Sequence, residues 1–165
     1  MNRQEYMETL ERKYARHFDI DRNIAIFGEN LDIYAKHYNI NVRTFITKND
    51  IIDRYENNEY CFVKGFEKIT GAETEAFEEL LKTAAGNLVK PDREHMSTYI
   101  TGVLVAESIE ENAVKAIKAF RYSKAYKFYL HGWCDVRYIG VDLGKETIIT
   151  NKAGKVVNKV YSITP

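Results

Sequence analysis

The sequence predicts an α+β fold, with helices packed on a curved antiparallel sheet. Three observations carry this. Three segments place apolar residues at helical spacing behind a capping residue, while most of the remaining chain alternates polar and apolar residues. The alternating segments come in runs, broken by short turns at Gly28, Asn39, Gly132, Gly144 and Gly154, and consecutive strands joined by short turns pair antiparallel. The order, a helix and four strands, a helix and one strand, then a helix and four strands, is not the alternation of a doubly wound parallel sheet. Helices on one face would leave the other face to water or to a ligand.

The elements follow in order. A first helix is expected over 3–17, where Asn2 is a capping residue, Glu5 stands three positions on, and Met7, Leu10, Tyr14 and Phe18 share a face. Strands follow at 18–27, 31–38 and 40–47, and a fourth at 59–66 after the turn residues Asn57 and Asn58. Thr70 and Glu73 form the capping box of a second helix over 71–85, striped by Phe77, Leu80, Leu81 and Ala84, with Gly86 placed to end it. Residues 97–106 are rich in β-branched side chains and read as a strand. Ser108 and Glu111 form the capping box of a third helix over 109–121, striped by Ile109, Ala113, Ile117 and Phe120. Strands at 124–131, 134–142, 146–150 and 155–161 complete the reading.

Two helix-plus-four-strand units emerge, 2–66 and 109–161, joined by helix 71–85 and strand 97–106 within a single domain over 1–165. Gly28-Glu29-Asn30-Leu31-Asp32 parallels Gly132-Trp133-Cys134-Asp135 with one deletion, and Phe45-Ile46-Thr47 parallels Ile148-Ile149-Thr150. Asp32 and Asp135 would be equivalent, as would Thr47 and Thr150.

The chain has 165 residues, 45% hydrophobic and 29% charged. A chain of this size buries roughly 70% of the surface exposed when unfolded, so it folds without metal or disulfide. No apolar run approaches the ~20 residues of a membrane-spanning helix. The first residues carry Arg3, Glu5 and Glu8, which is not a secretory pattern. Two cysteines, Cys61 and Cys134, stand far apart without metal-ligand spacing, which points to a reducing, cytoplasmic setting and no metal site. No cofactor and no membrane are expected. Net charge is zero, but residues 1–83 hold 12 Lys and Arg against 16 Asp and Glu, and residues 84–165 hold 12 against 8.

Phosphate-loop, dinucleotide, zinc-peptidase and nucleophile-elbow motifs are absent from the sequence. The densest chemically able cluster is His131-Gly132-Trp133-Cys134-Asp135-Val136-Arg137, at a predicted strand–turn–strand junction. Trp133, Asp135 and Arg137 alternate onto one face. A second cluster is the charged loop Lys90-Pro91-Asp92-Arg93-Glu94-His95 that leads into the uncharged strand. A ligand site is expected where these meet, built from Arg93, His95, His131, Trp133, Asp135 and Arg137. Arg137 would be its anion anchor, Trp133 its wall and one histidine its proton-transfer group. The structural alternative is a satisfied Asp–Arg pair.

The two clusters, with Thr150-Asn151-Lys152-Ala153-Gly154-Lys155, resemble a family of small bacterial proteins of unknown function. The resemblance spans 12–161 and implies no activity, cofactor or catalytic residue.

Three functional classes stay open. The first is a non-catalytic domain binding a small molecule or a protein, through the tyrosine-rich open face. The second is an enzyme of unrecognised type using His, Asp and Arg near the Gly132 turn. The third is a single-stranded nucleic-acid binder, because ten basic side chains in 115–159 interleave with Tyr122, Tyr126, Tyr129, Trp133 and Tyr138. Overall neutrality weighs against the third.

Overall fold

Two of the three capping boxes read from the sequence form, and the Ser108–Glu111 box does not. Helix α1 (Arg3–Tyr14) opens with the Asn2 side chain accepting from the Glu5 N–H while the Glu5 carboxylate accepts from the Asn2 N–H, each at 2.9 Å. Strands β1 (Asp19–Ile26), β2 (Glu29–Thr44) and β3 (Ile51–Ile69) follow. Helix α2 (Gly71–Leu88) starts on the Thr70–Glu73 box. Next come β4 (His95–Ile109), α3 (Glu111–Ala119), β5 (Ser123–Ala125), β6 (Trp133–Asp142), β7 (Thr147–Thr150) and a 3-10 helix, Ala153–Tyr161. This is a computed structural model, and it describes residues 1–44 and 51–163. Thr47 and the end of the strand expected at 40–47 lie outside the described residues.

The α+β class stands, but the sheet is mixed rather than antiparallel. Seven strands run in the order β1-β2-β3-β4-β6-β5, with β7 also on β6. The β1–β2, β2–β3, β5–β6 and β6–β7 pairs are antiparallel, whereas β3–β4 and β4–β6 are parallel. The reason is the crossovers. Helix α2 carries the chain back along the sheet between β3 and β4, and α3 does so between β4 and β6, so each next strand starts from the same end.

The helices do not share one face. Helices α2 and α3 cover one side through Phe77, Leu81, Ala84, Ala113 and Ile117, packed on Phe62, Ile100, Leu104 and Tyr138. Helix α1 and the 3-10 helix cover the other, with Tyr6, Leu10, Tyr14 and Tyr161 on Ile33, Cys61, Val63, Val103, Val105, Ile139 and Val141. A central parallel strand buried on both faces reads as a continuous apolar run, and Val103–Leu104–Val105–Ala106 is such a run. Close approach is built in: a Cβ on Gly102 would meet the Leu81 side chain at 2.6 Å.

The two α-β4 units are not formed. Among the described residues the first holds α1 and three strands, and the second α3, three strands and the 3-10 helix. Residues 31–38 and 40–44 lie in one strand, because Asn39 continues the ladder opposite Asn57. Residues 124–131 keep only the short β5 before a turn, and 155–161 is helical. Gly86 lies inside α2, which runs on to an extended Val89. Helix α3 starts after Glu110 without a side-chain cap, since Ser108 and Ile109 still belong to β4. No helix among the described residues is long and apolar enough to cross a membrane.

Candidate functional site

The face under α1 and the 3-10 helix is covered only in part. Near Asn57 and Glu59 of β3 and toward the starts of β4 and β6 it carries polar and aromatic side chains instead of aliphatic ones. Alternation in β6 sends Cys134, Val136 and Tyr138 into the α2/α3 core and Trp133, Asp135 and Arg137 to this opposite, open side. Strand β4 contributes Ser97 and Tyr99, and β3 contributes Asn57 and Glu59.

Arg137 is the centre of the patch. It is 8% exposed. One terminal nitrogen donates to Glu59 Oε1 at 2.9 Å, and its guanidinium lies 3.9 Å from the centre of the Tyr99 ring. A guanidinium carries five N–H donors, and among the described residues Glu59 is the one hydrogen-bond partner shown for it. No fully buried side-chain nitrogen or oxygen of the described residues lacks a partner, so the guanidinium nitrogens not bonded to Glu59 keep some access to solvent.

Two adjoining clefts share Arg137 and Tyr99. One, of about 390 Å³, is lined by His37, Asn57, Glu59, Ser97 and Trp133. Here Ser97 Oγ donates to Asn57 Oδ1 at 2.7 Å, and the His37 ring packs 5.6 Å from Phe18. The other, of about 550 Å³, is lined by Arg121, Tyr122, Asp135, Lys152 and Val156. Asp135 accepts from the Ser123 hydroxyl, not from Arg137, so the expected Asp–Arg pair does not form. Arg121 donates to the Lys118 and Phe120 carbonyls at 2.9 and 2.8 Å, closing the end of α3. Asn151 builds the floor. It accepts from the Tyr138 and Gly154 N–H groups and donates to the Phe120 and Val136 carbonyls.

The six residues nominated from sequence therefore divide. Trp133, Asp135 and Arg137 line the clefts. His95 does not: it is 3% exposed, its Nδ1 donates to the His131 carbonyl at 2.6 Å, and Nε2 sits 2.8 Å from the Thr98 hydroxyl. A carbonyl can only accept, so Nδ1 donates, and with Nε2 paired to Thr98 both nitrogens are used. Its ring also meets Tyr126 edge-on at 5.9 Å. His131 supplies that carbonyl and is half-buried in the turn, and Arg93 is exposed in the loop before β4. Neither lines the clefts.

The cysteines are no nucleophiles. Burial pushes the Cys61 and Cys134 thiols up to about 12, which suppresses the thiolate. Both are free and lie in cores on opposite faces of the sheet. Among the described residues no three His, Cys, Asp or Glu side chains form a metal-holding group. The basic aromatic track is also broken up. Lys115 and Lys118 ride on α3, across the sheet from Lys152, Lys155 and Lys159. Tyr138 is fully buried, and Tyr122 and Tyr126 pack against the α2/α3 core.

Glu59, Tyr99, His37 and Lys152 were not nominated. Alternation in 59–66 and 97–106 does put Glu59 and Tyr99 at the starts of their strands. What brings them beside Arg137 is parallel pairing, which periodicity does not report. A larger cleft of about 810 Å³ lies beside the start of α1, lined by Arg3, Met7, Glu8, Glu11, Arg22, Asp32 and others. Two of its carboxylates are engaged, Glu11 with Arg22 and Asp32 with the Gly65 N–H.

A family model described as a domain of unknown function (DUF8052) matches residues 2–163. No curated protein matches the chain.

Proposed function

The chain belongs to the DUF8052 family, a domain of unknown function, and from that premise we propose that it is a non-catalytic domain that binds a small anionic ligand in the paired clefts at Arg137. One observation carries the reading. Arg137 is nine-tenths buried, bonds Glu59 through one terminal nitrogen, and lines both clefts. A guanidinium in this position recognises a carboxylate or phosphate through paired hydrogen bonds. Arg121 and Lys152 add positive charge to the larger cleft, against Asp135 alone. Tyr99 and Trp133 offer flat walls for a planar or apolar body. Non-catalytic binding is supported by how the nominated reactive groups are used: His95 braces a turn and Cys134 is a core residue.

The rival is a purely structural Arg137–Glu59 pair, and a paired substitution separates the two. Replacing both partners of a buried ion pair by leucine is often neutral for stability, whereas replacing one leaves the other uncompensated. Thermal unfolding is measured with inorganic phosphate, dicarboxylates and mononucleotides as probes. The native chain is expected to gain melting temperature with at least one of them, by mass action. The Glu59→Leu/Arg137→Leu variant is expected to fold and to lose that gain. The reading fails if no probe stabilises the native chain, or if the double variant keeps the response.

A further inference from the structure

The turn between β5 and β6 points to a second, independent surface. Phe128, Tyr129 and Leu130 are 96%, 69% and 76% exposed, three consecutive large apolar side chains in water. Lys127, Phe128 and Tyr129 all hold positive φ, at 46°, 53° and 69°, a conformation that L-residues other than glycine avoid. The turn is nonetheless closed and braced. Leu130 N–H donates to the Lys127 carbonyl at 3.0 Å, His131 N–H to Tyr126 at 3.1 Å and Gly132 N–H to Tyr129 at 3.1 Å. Below it Gly132, at φ 79°, lies so close to β4 that a Cβ would fall 2.2 Å from the Met96 carbonyl oxygen. The buried His95 ties Thr98 of β4 to the His131 carbonyl. The fold thus closes a left-handed turn with backbone hydrogen bonds while leaving its tip exposed, and strain kept in this way is a mark of use.

We propose that this turn is a membrane-docking tip that inserts Phe128 and Leu130 into the surface of an anionic bilayer. Its exposed groups are of the kinds such a surface takes: two large apolar side chains, a tyrosine suited to the headgroup level, and Lys127 and Lys124 close by in the chain. The neighbouring loop adds Lys90 and Arg93 against Asp92 and Glu94, so the two lysines set the sign. A bilayer needs no complementary shape. A protein partner would need roughly 800 Å² on each side, and the strand behind the tip offers only the exposed Ser123, Lys124 and Ala125. The expectation from sequence of no membrane partner rests on spanning helices, and a docking tip needs none.

Cosedimentation with vesicles of 70% phosphatidylcholine and 30% phosphatidylserine tests this, beside pure phosphatidylcholine vesicles. The native chain is expected to bind the anionic vesicles and to release as salt rises. Phe128→Asp/Leu130→Asp, both on the surface and so compatible with folding, is expected to lower binding at least tenfold. Lys124→Gln and Lys127→Gln are each expected to lower it about fivefold. Absence of binding by the native chain at low salt overturns the proposal, as does equal binding by the double-aspartate variant. A concentration-dependent dimer lost in that variant, without vesicle binding, would assign the tip to a second copy of the chain and also overturn it.

Discussion

Asn151 decides more than its size suggests. It is 1% exposed and its amide uses both ends twice, accepting at 3.0 Å from Tyr138 and 2.9 Å from Gly154, and donating at 3.3 Å to Phe120 and 3.0 Å to Val136. One side chain thus ties β6 to the end of α3 and to the start of the 3-10 helix, under the larger cleft. Removing it strands several buried backbone groups at about 1–3 kcal/mol each. Asn151→Ala is therefore expected to cost on the order of 4 kcal/mol in chemical denaturation. Asn151→Asp is expected to cost as much, because a carboxylate keeps the acceptor pair but repels the two carbonyls. A cost below about 1 kcal/mol for either would show that water replaces the amide. At this scale the sequence is legible where residues act through alternation: Trp133, Asp135 and Arg137 share the open side. It is silent where a residue acts through partners far along the chain. Glu59 lies 78 residues from Arg137, and no local pattern links them. His95 misleads for the same reason, since its partner is a carbonyl 36 residues away.

At the scale of elements, local capping signals were readable at two helix starts and misleading at the third, where Ser108 and Ile109 stay in β4. The Asn2–Glu5 and Thr70–Glu73 boxes work because all their donors and acceptors lie within one helical turn. The errors fall where local patterns tie. Residues 155–161 alternate well enough for a strand, but the Asn151 side chain accepts from Gly154 N–H and starts a helical turn, leaving Val157 and Tyr161 inward and Val156 exposed. Residues 124–131 alternate too, yet three left-handed residues end β5 at Ala125. The Thr70–Glu73 box makes a pH prediction. Hydrogen bonds from Thr70, first its side chain and then its backbone, hold the Glu73 carboxyl below its ordinary range. A carboxyl depressed in the folded state stabilises above its unfolded pKa of about 4.3, and that stability is lost as pH falls through the lower folded value. The group is mostly solvated, so Glu73→Ala is expected to cost only about 0.5–1 kcal/mol at pH 7. The difference between native and variant should close as the pH falls through the carboxyl's lowered folded-state range. A difference that stays constant with pH would mean that the helix start is held by packing alone.

At the scale of the molecule, the sheet carries two cores that do not touch. Phe62, Leu104 and Tyr138 pack under α2 and α3, and Cys61, Val105 and Ile139 under α1 and the 3-10 helix. Two covered faces were hard to read because nothing in an amphipathic helix says which side of a sheet it will cover. The second layer is latched by tyrosines: Tyr6 Oη donates to the Tyr161 carbonyl at 2.8 Å, the Tyr14 and Tyr161 hydroxyls meet at 2.9 Å, and Lys13 Nζ reaches the Val160 carbonyl at 2.9 Å. Each face also holds its own reporter, Cys61 beside Tyr14 and Tyr161, and Cys134 against the other core. Burial raises both thiols to about 12. An acid whose pKa is raised on folding stabilises the fold below its unfolded value and gives that up as pH climbs, here between about 9 and 12. At pH 8 both thiols are thus protonated and shielded in the native state. Tyr161→Ala removes the latch and the ring above Cys61, at about 3–5 kcal/mol, while every contact of the α2/α3 core stays in place. If the layers open separately, Tyr161→Ala should speed thiol labelling at pH 8 at Cys61 and leave Cys134 slow, with Cys134→Ala and Cys61→Ala backgrounds assigning each rate. Tyr161→Phe, which loses the hydroxyl but keeps the ring, should fall between. Equal acceleration at both cysteines would mean that exchange runs through global unfolding, and that the sheet binds its two faces into one cooperative unit.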